Sequence, residues 1–371
     1  MRANKPPASL WTRRLFLAFG PLAAIAAAES EKGRQFPRDA KRYSDPATEF
    51  PVVRLTDPGY TSILPAYYTR CLSRHNSFLL FSCDRTERMQ VYRMDVKNGE
   101  SRLLTAAERL DPASVTLMPG ERHFCYFDGG ELMESSLSSL HARPLYRPGA
   151  GAEHGAGFSV AEDGLYAAFV ERENGRYKLR LLDMRKGTAR TIAESDEEIS
   201  DPIVRPRRAG VLYRRGGNAL WLASYDGRQN YRLKTAPGGL GPALWSPDGR
   251  SVLYLHVPED THQLRDIREL IPDTNTDRQV APTSQYAHFD CNANASVFVG
   301  ASASKASPDI LILLRDVKRE LTLCEHKASD PARVAPIFSP NSQRLYFQSD
   351  RHGKWAIYTM GIDRFVEKTE S

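Results

Sequence analysis

The chain has 371 residues, with 51 Lys and Arg against 45 Asp and Glu, a formal charge of +6, and five cysteines. Arg2, Lys5, Arg13 and Arg14, with no acidic residue among them, fall in the first 28 positions, so the remainder is near +2. That remainder has no Lys/Arg block to form a nucleic-acid groove, and an odd cysteine count without CxxC spacing excludes a disulfide scaffold.

Residues 1–28 read as an export signal. The basic head precedes an apolar stretch at 15–28 (LFLAFGPLAAIAAA) that ends in small residues, which suits cleavage after Ala26 or Ala28. Fourteen helical residues rise about 21 Å, short of the roughly 30 Å of a bilayer's hydrocarbon layer. The string Thr12-Arg13-Arg14-Leu15-Phe16-Leu17 resembles the twin-arginine export pattern, with Ala18 where that pattern usually has Lys. A general secretory signal with a chance arginine pair is the other reading. Both predict a periplasmic or secreted protein of a bacterium, with no transmembrane anchor once the signal is removed.

Residues 29–50 are polar and are expected to form an irregular leader. A phrase then recurs seven times: an apolar strand, a Pro/Asp/Asn/Gly turn, and a second apolar strand. It reads LSRHNSFLLFS (72–82), TLMPGERHFCYF (116–127), SVAEDGLYAAFV (159–170), VRPRRAGVLYR (204–214), LWSPDGRSVLYLH (244–256), DCNANASVFVG (290–300) and FSPNSQRLYFQSD (338–350). The spacing of mostly 40 to 48 residues, with further strands after each phrase, predicts an all-β, seven-bladed β-propeller over 51–362. The seventh unit lacks a last strand of its own. Residues 52–56 (VVRLT) resemble the closing strand at 102–105 (RLLT), so the N-terminal strand is expected to pair with 355–360 (WAIYTM) and close the ring. A polar tail would follow at 363–371.

In a propeller the inner strands face a central channel, so their first residues are the candidate site. These include His154, Asp201, His288, Asp330 and Arg333. His and carboxylate side chains converging from several blades could hold a metal ion, and Asp201, His288 and Asp330 are the candidate set; with oxygen donors the ion would be manganese or calcium. His288 also reads as a packing histidine, and the Asp-Pro pairs at 201 and 330 as turn formers. Arg70, Arg205 and Arg333 could bind a carboxylate-bearing ligand, and Tyr67 could stack on a sugar ring. No GxSxG, HExxH, P-loop or dinucleotide fingerprint occurs.

The opening segment 32–57, the segment YYTRCLSRHNSFLLFS (67–82) and the ending FSPNSQRLYFQSDRHGKWAIYTM (338–360) resemble the oligogalacturonate lyases. The SPDG and YxxD phrases are shared more widely, with propellers of the Tol-associated type. The resemblance implies a seven-bladed propeller that cleaves short pectic oligosaccharides by β-elimination, with a manganese-like cation on the substrate carboxylate. It places the family's blade-six histidine on His288. The family's Gln falls on Asp330 and its two further histidines on Arg333 and Ala335, while a His-Pro-Ile becomes Asp201-Pro202-Ile203. A Thr-His-Glu pattern becomes Gly241-Pro242-Ala243, and Arg172, in a shortened loop, takes the place of a family arginine. Arg172 and Asp201 are thus the catalytic candidates. The substitutions imply no assured cofactor and a lyase activity lost or altered. An acidic oligosaccharide or an envelope protein is the expected partner; an active metal-dependent lyase and a Tol-like interaction scaffold are the alternatives.

Overall fold

The computed structural model describes residues 31–369; the expected signal at 1–28 lies outside them. Seven antiparallel sheets follow one another around a ring, five of four strands and two of five. The recurring phrase is the hairpin between the first two strands of each. In every blade the residue opening the turn donates its amide to the carbonyl five positions on: Ser73 to Phe78, Met118 to His123, Ala161 to Tyr166, Arg205 to Gly210, Ser246 to Ser251, Asn292 to Val297 and Ser339 to Arg344. Six of the seven turns then place a left-handed residue three positions after the opener: Asn76, Glu121, Gly164, Gly249, Ala295 and Ser342. In blade four it comes one position earlier, at Arg207, after Pro206. Opening side chains reinforce the turn. Ser73, Ser246 and Ser339 accept amide hydrogens from Phe78, Ser251 and Arg344, and Asn292 does so from Val297.

The second strands read as unbroken apolar runs because both faces of a blade are covered. Successive side chains alternate between neighbours. Phe78 and Leu80 pack with blade two, whereas Leu79 and Phe81 pack with blade seven. In blade five Val252 and Tyr254 face blade four, and Leu253 and Leu255 face blade six. The core is therefore a circle of seven clusters, one at each junction between blades.

The ring closes as the sequence predicts, and goes further. The strand Pro51–Arg54 pairs with Ala356–Gly361, Val53 opposite Thr359 and Arg54 opposite Tyr358. Leu55 continues the ladder with a 2.7 Å bond to the carbonyl of Ile357. This strand is not the outermost. Lys41–Ser44 pairs outside it, making blade seven five-stranded, and Gln35–Phe36 adds a fifth strand to blade one against Ser101–Leu103. The segment expected to be irregular thus extends two blades, because it carries the few apolar residues that need cover: Phe36 is buried against Tyr92. Asp45 fixes the turn between, accepting from the amides of Ala47 and Thr48 and from Glu325 of blade six. The expected polar tail also packs, with Val366 buried and Phe365 edge-on to Phe50.

Candidate functional site

The inner strands of blades three to six are all irregular near their first residues. Their registers shift between His154 and Phe158, Ser200 and Ile203, Leu240 and Ala243, and Tyr286 and His288. Such bulges re-aim side chains. Asp201 sits in one of them with φ +47, a left-handed backbone unusual for a non-glycine residue. Beside it Gly157 has φ +106, and a Cβ there would come within 2.4 Å of Pro202 and 2.9 Å of the Tyr68 hydroxyl. Glycine is required at that contact.

Blade one supplies what these bulges meet. Its inner edge is split between Ser62–Ile63 and a single bridge at Leu72, so Tyr67, Tyr68 and Arg70 lie in a loop between them. The loop crosses the channel. The Tyr67 hydroxyl donates to the carbonyl of Ala243 in blade five at 2.8 Å, and that of Tyr68 donates to Asp201 in blade four at 3.4 Å. The two rings meet edge-on at 5.0 Å, and Tyr67 meets the His288 ring edge-on at 4.5 Å. Burial, and secondly the neighbouring Asp201 charge, raises both phenols well above the usual tyrosine range. Both stay protonated donors.

Asp201 is further held by Arg214, whose Nε is 3.4 Å from its carboxylate. Arg214 also donates to the carbonyls of Gly217 and Gly241 at 2.8 and 2.7 Å. His288 stands apart from any carboxylate partner among the described residues. It is 5% exposed, its Nδ1 has no hydrogen-bond partner, and burial lowers its pKa to about 3, so the ring is neutral. Asp330 caps a short 3₁₀ turn by accepting from the Ala332 amide at 3.0 Å. Arg333, in the same turn, lies over the Trp355 ring at 4.4 Å.

The expected metal set therefore does not assemble. Among the described residues no group of three His, Cys, Asp or Glu side chains is placed to hold a metal ion. A transition-metal site draws three or four donors together. Here one neutral imidazole is available, Asp201 is neutralised by a guanidinium, and Asp330 is turned into its own backbone. The residues do not fit a divalent cation.

The candidate arginines do not converge either. Arg205 is buried within its blade, donating to Gly249 at 2.7 Å, lying over Trp245 at 4.7 Å and pairing with Asp273 at 3.4 Å. Arg172, on the second strand of blade three opposite Glu153, is exposed over Tyr177. Arg70 and Tyr67 do share a space, a cavity of about 300 Å³ that Trp245 and Asp290 also line. It lies on the hairpin-turn side of the tyrosines, whereas Asp201, Arg172 and Arg333 are near the beginnings of inner strands. His154, the remaining candidate, stacks on Phe127 at 3.6 Å and meets Asp111 at 3.3 Å.

Three residues that hold this arrangement were not singled out in the sequence. Arg214 neutralises Asp201. Gln348 is buried and ties two loops together, accepting from the Leu64 amide at 2.9 Å and donating to the Arg333 carbonyl at 2.6 Å. Asp290 accepts from the Phe338 amide at 3.0 Å, and burial raises its carboxyl to about 7. The available signal was a lone polar residue inside an apolar strand, as in LYFQS and AHFDC.

Across this frame the chain closely resembles oligogalacturonate lyase. It is 23% identical to the oligogalacturonide lyase of Pectobacterium atrosepticum, an alignment covering 88% of this chain and 97% of that one. It is 22% identical to the oligogalacturonate lyase of Dickeya dadantii over the same shares. An oligogalacturonate lyase solved in complex with manganese superposes with a TM-score of 0.85 at 22% identity, covering 89% of this chain and 98% of the other, and so shares its fold. No family model matches the chain.

Proposed function

We propose that this propeller binds acidic saccharides through guanidinium groups and has lost the metal-assisted elimination that its resemblance implies. The observation that carries this reading is the state of the channel: Asp201 is held between Tyr68 and Arg214 while His288 stands alone. A base must reach the proton it removes, and the charge developing on the adjacent carboxylate must be met by a cation. Asp201 is already engaged by the Tyr68 hydroxyl and the Arg214 guanidinium, so its carboxylate is not free to meet a substrate proton. Arg333, backed by Trp355 and preceding the inner strand of blade seven, and Arg172, backed by Tyr177 and paired opposite Glu153 of the inner strand of blade three, present cations suited to uronate carboxylates. A manganese-bound relative is known, but here a guanidinium takes that charge's place.

The setting that best suits the chain is the bacterial periplasm, supported by the signal-like residues 1–28. Among the described residues no helix is long and apolar enough to cross a membrane.

The test is to incubate the purified protein with di- and trigalacturonate, with manganese and separately with a chelator, and follow unsaturated uronate ends. No metal-dependent product is expected. Calorimetric binding of trigalacturonate should persist in chelator and weaken about tenfold with Arg333→Ala, the loss of about 1.4 kcal/mol typical of one charge-assisted contact. Robust product formation that the chelator abolishes would restore the active-lyase reading.

A further inference from the structure

A second gathering of polar groups lies away from the channel, where the ring closes, on the face of blade seven that packs against blade six. There Lys41, Arg54 and Tyr358 stand directly opposite one another on three adjacent strands. Residues so paired have Cβ atoms roughly 5 Å apart, and like charges at that separation repel. Arg54 is half-buried, its Nε is buried without a partner, and it has no ion pair or hydrogen bond among the described residues. Tyr43 is two positions along from Lys41 and therefore on the same face, and its hydroxyl is likewise buried without a partner.

The turn at Arg351 and His352 brings further groups to this spot. His352 Nδ1 is 2.8 Å from the Tyr358 hydroxyl, and its ring meets the Tyr43 ring edge-on at 5.4 Å. Arg351 lies over Tyr43 at 5.3 Å, with its side chain only 8% exposed. Lys41, Arg54, Tyr358, His352 and Tyr43 thus form a closed circuit of neighbours, with Arg351 on its border. Burial lowers the His352 pKa, and the charges of Arg351 and Arg54 lower it further, so both cations are felt at the ring.

The nearby carboxylates are committed elsewhere. Asp45, 4.0 Å from Arg351, accepts the amides of Ala47, Thr48 and Glu325. Glu325 pairs with Lys327 at 2.6 Å, and Asp350 accepts from the Ser329 amide at 2.8 Å. Asp45 offsets Arg351, which leaves Arg54 and Lys41 opposed with no carboxylate within 4 Å among the described residues. An anion between them turns their repulsion into two charge-assisted contacts. The donors come from two strands and a turn, so they do not share a plane. A carboxylate offers its acceptors in one plane, whereas a tetrahedral oxyanion offers them in four directions.

We propose that Lys41, Arg54 and His352 form a binding site for a tetrahedral oxyanion, phosphate or sulfate. Arg54 and Lys41 supply the charge. Tyr358 donates to Nδ1 of His352, which leaves the Nε2 hydrogen for the ion. The bound ion ties the outermost strand of blade seven, Lys41–Ser44, to the closing strand Pro51–Arg54 and to the hairpin turn that carries His352. It fastens the ring from outside, independently of any ligand in the channel.

Titration calorimetry of the purified protein with inorganic phosphate, sulfate and acetate at one ionic strength tests the assignment. Phosphate and sulfate should each bind saturably at one site, and acetate at least tenfold more weakly. Phosphate should also shift the ring resonances of His352 in the wild-type protein, with the same midpoint. Arg54→Gln should weaken phosphate about tenfold, as expected for one charge-assisted contact, and Lys41→Gln should weaken it less. Arg42→Gln, on the opposite face of the same strand, should leave it unchanged. Phosphate and sulfate also stabilise proteins by exclusion from their surfaces, an effect that does not saturate. A response without saturation, equal binding of acetate, or an unmoved His352 overturns the proposal, as does an equal loss in Arg42→Gln. The comparison of ions and the His352 signals use only the wild-type chain, so they decide the matter even where a variant misfolds.

Discussion

The seam where the ring closes and the channel at its centre are both built from segments far apart in the chain, yet the seam is joined by backbone ladders and the channel by side chains, even though the Tyr43 hydroxyl and Arg54 Nε at the seam are themselves buried without a partner. At the seam, Val53 and Arg54 are in register with Thr359 and Tyr358, the Thr56 hydroxyl takes the Ile357 amide at 3.0 Å, and buried Asp45 accepts three amide hydrogens. In the channel, His288 keeps an unpartnered nitrogen and Asp290 a carboxyl driven towards neutrality. Backbone ladders satisfy polar groups automatically, because their period is fixed. Side chains have no such guarantee, and unpartnered side-chain atoms occur at the seam, on Tyr43 and Arg54, as well as in the channel, on His288.

The largest expected effect lies at the seam. Deleting residues 41–57 removes two strands of blade seven and bares apolar residues such as Tyr358 and Met360, so cooperative thermal unfolding should vanish in calorimetry. Deleting residues 31–37 removes only the outermost strand of blade one, and should lower the melting temperature while leaving a single transition. Equal losses from the two deletions would show that closure is not the special element.

The channel should answer to pH where the seam does not. The Asp290 carboxyl titrates near 7 in the folded chain and near 3.8 when unfolded, so between those values only the folded state keeps the proton. Stability contributed by this group is therefore lost as pH rises through that window. Asp290→Asn removes the loss, and at pH 8 should raise stability by up to about 4 kcal/mol relative to its effect at pH 4. His288 has the opposite sign. With a folded pKa near 3 against 6.5 unfolded, the unfolded chain gains the proton first, and stability falls as pH drops below 6.5. His288→Leu should flatten that acid limb by about 3 kcal/mol at pH 4, read from denaturant midpoints. These groups stand two residues apart on one inner strand and their windows overlap between pH 3.8 and 6.5, so their opposite slopes largely cancel in the parent and each emerges when the other group is replaced.

The smallest effect concerns the bulge. Gly157→Ala forces a Cβ towards Pro202 and Tyr68, and should cost roughly 1–3 kcal/mol. It should also disturb Asp201, visible as a loss of trigalacturonate affinity. A variant as stable as the parent would mean that blade four shifts freely, and would weaken the contrast between a fixed channel and a fixed seam.

The sequence by itself determined the frame. The turn phrase is local: an opener such as Ser246 or Ser339 meets an amide five residues on, and six of the seven turns carry the same left-handed position. A run such as FLLFS announces a strand covered on both faces, and the missing seventh closing strand points to VVRLT near the start. The short strands at 35–36 and 41–44 were not legible, because polar sequence such as KRYS acquires strand geometry only when an edge is already present to pair with. Only the tertiary structure decided the channel. Tyr67 bonds to Ala243, 176 residues away, and Tyr68 to Asp201, 133 away, at distances set by seven inner strands converging on one axis. Spacing along a chain fixes what one turn can reach; it carries no record of which side chain will stand across a ring.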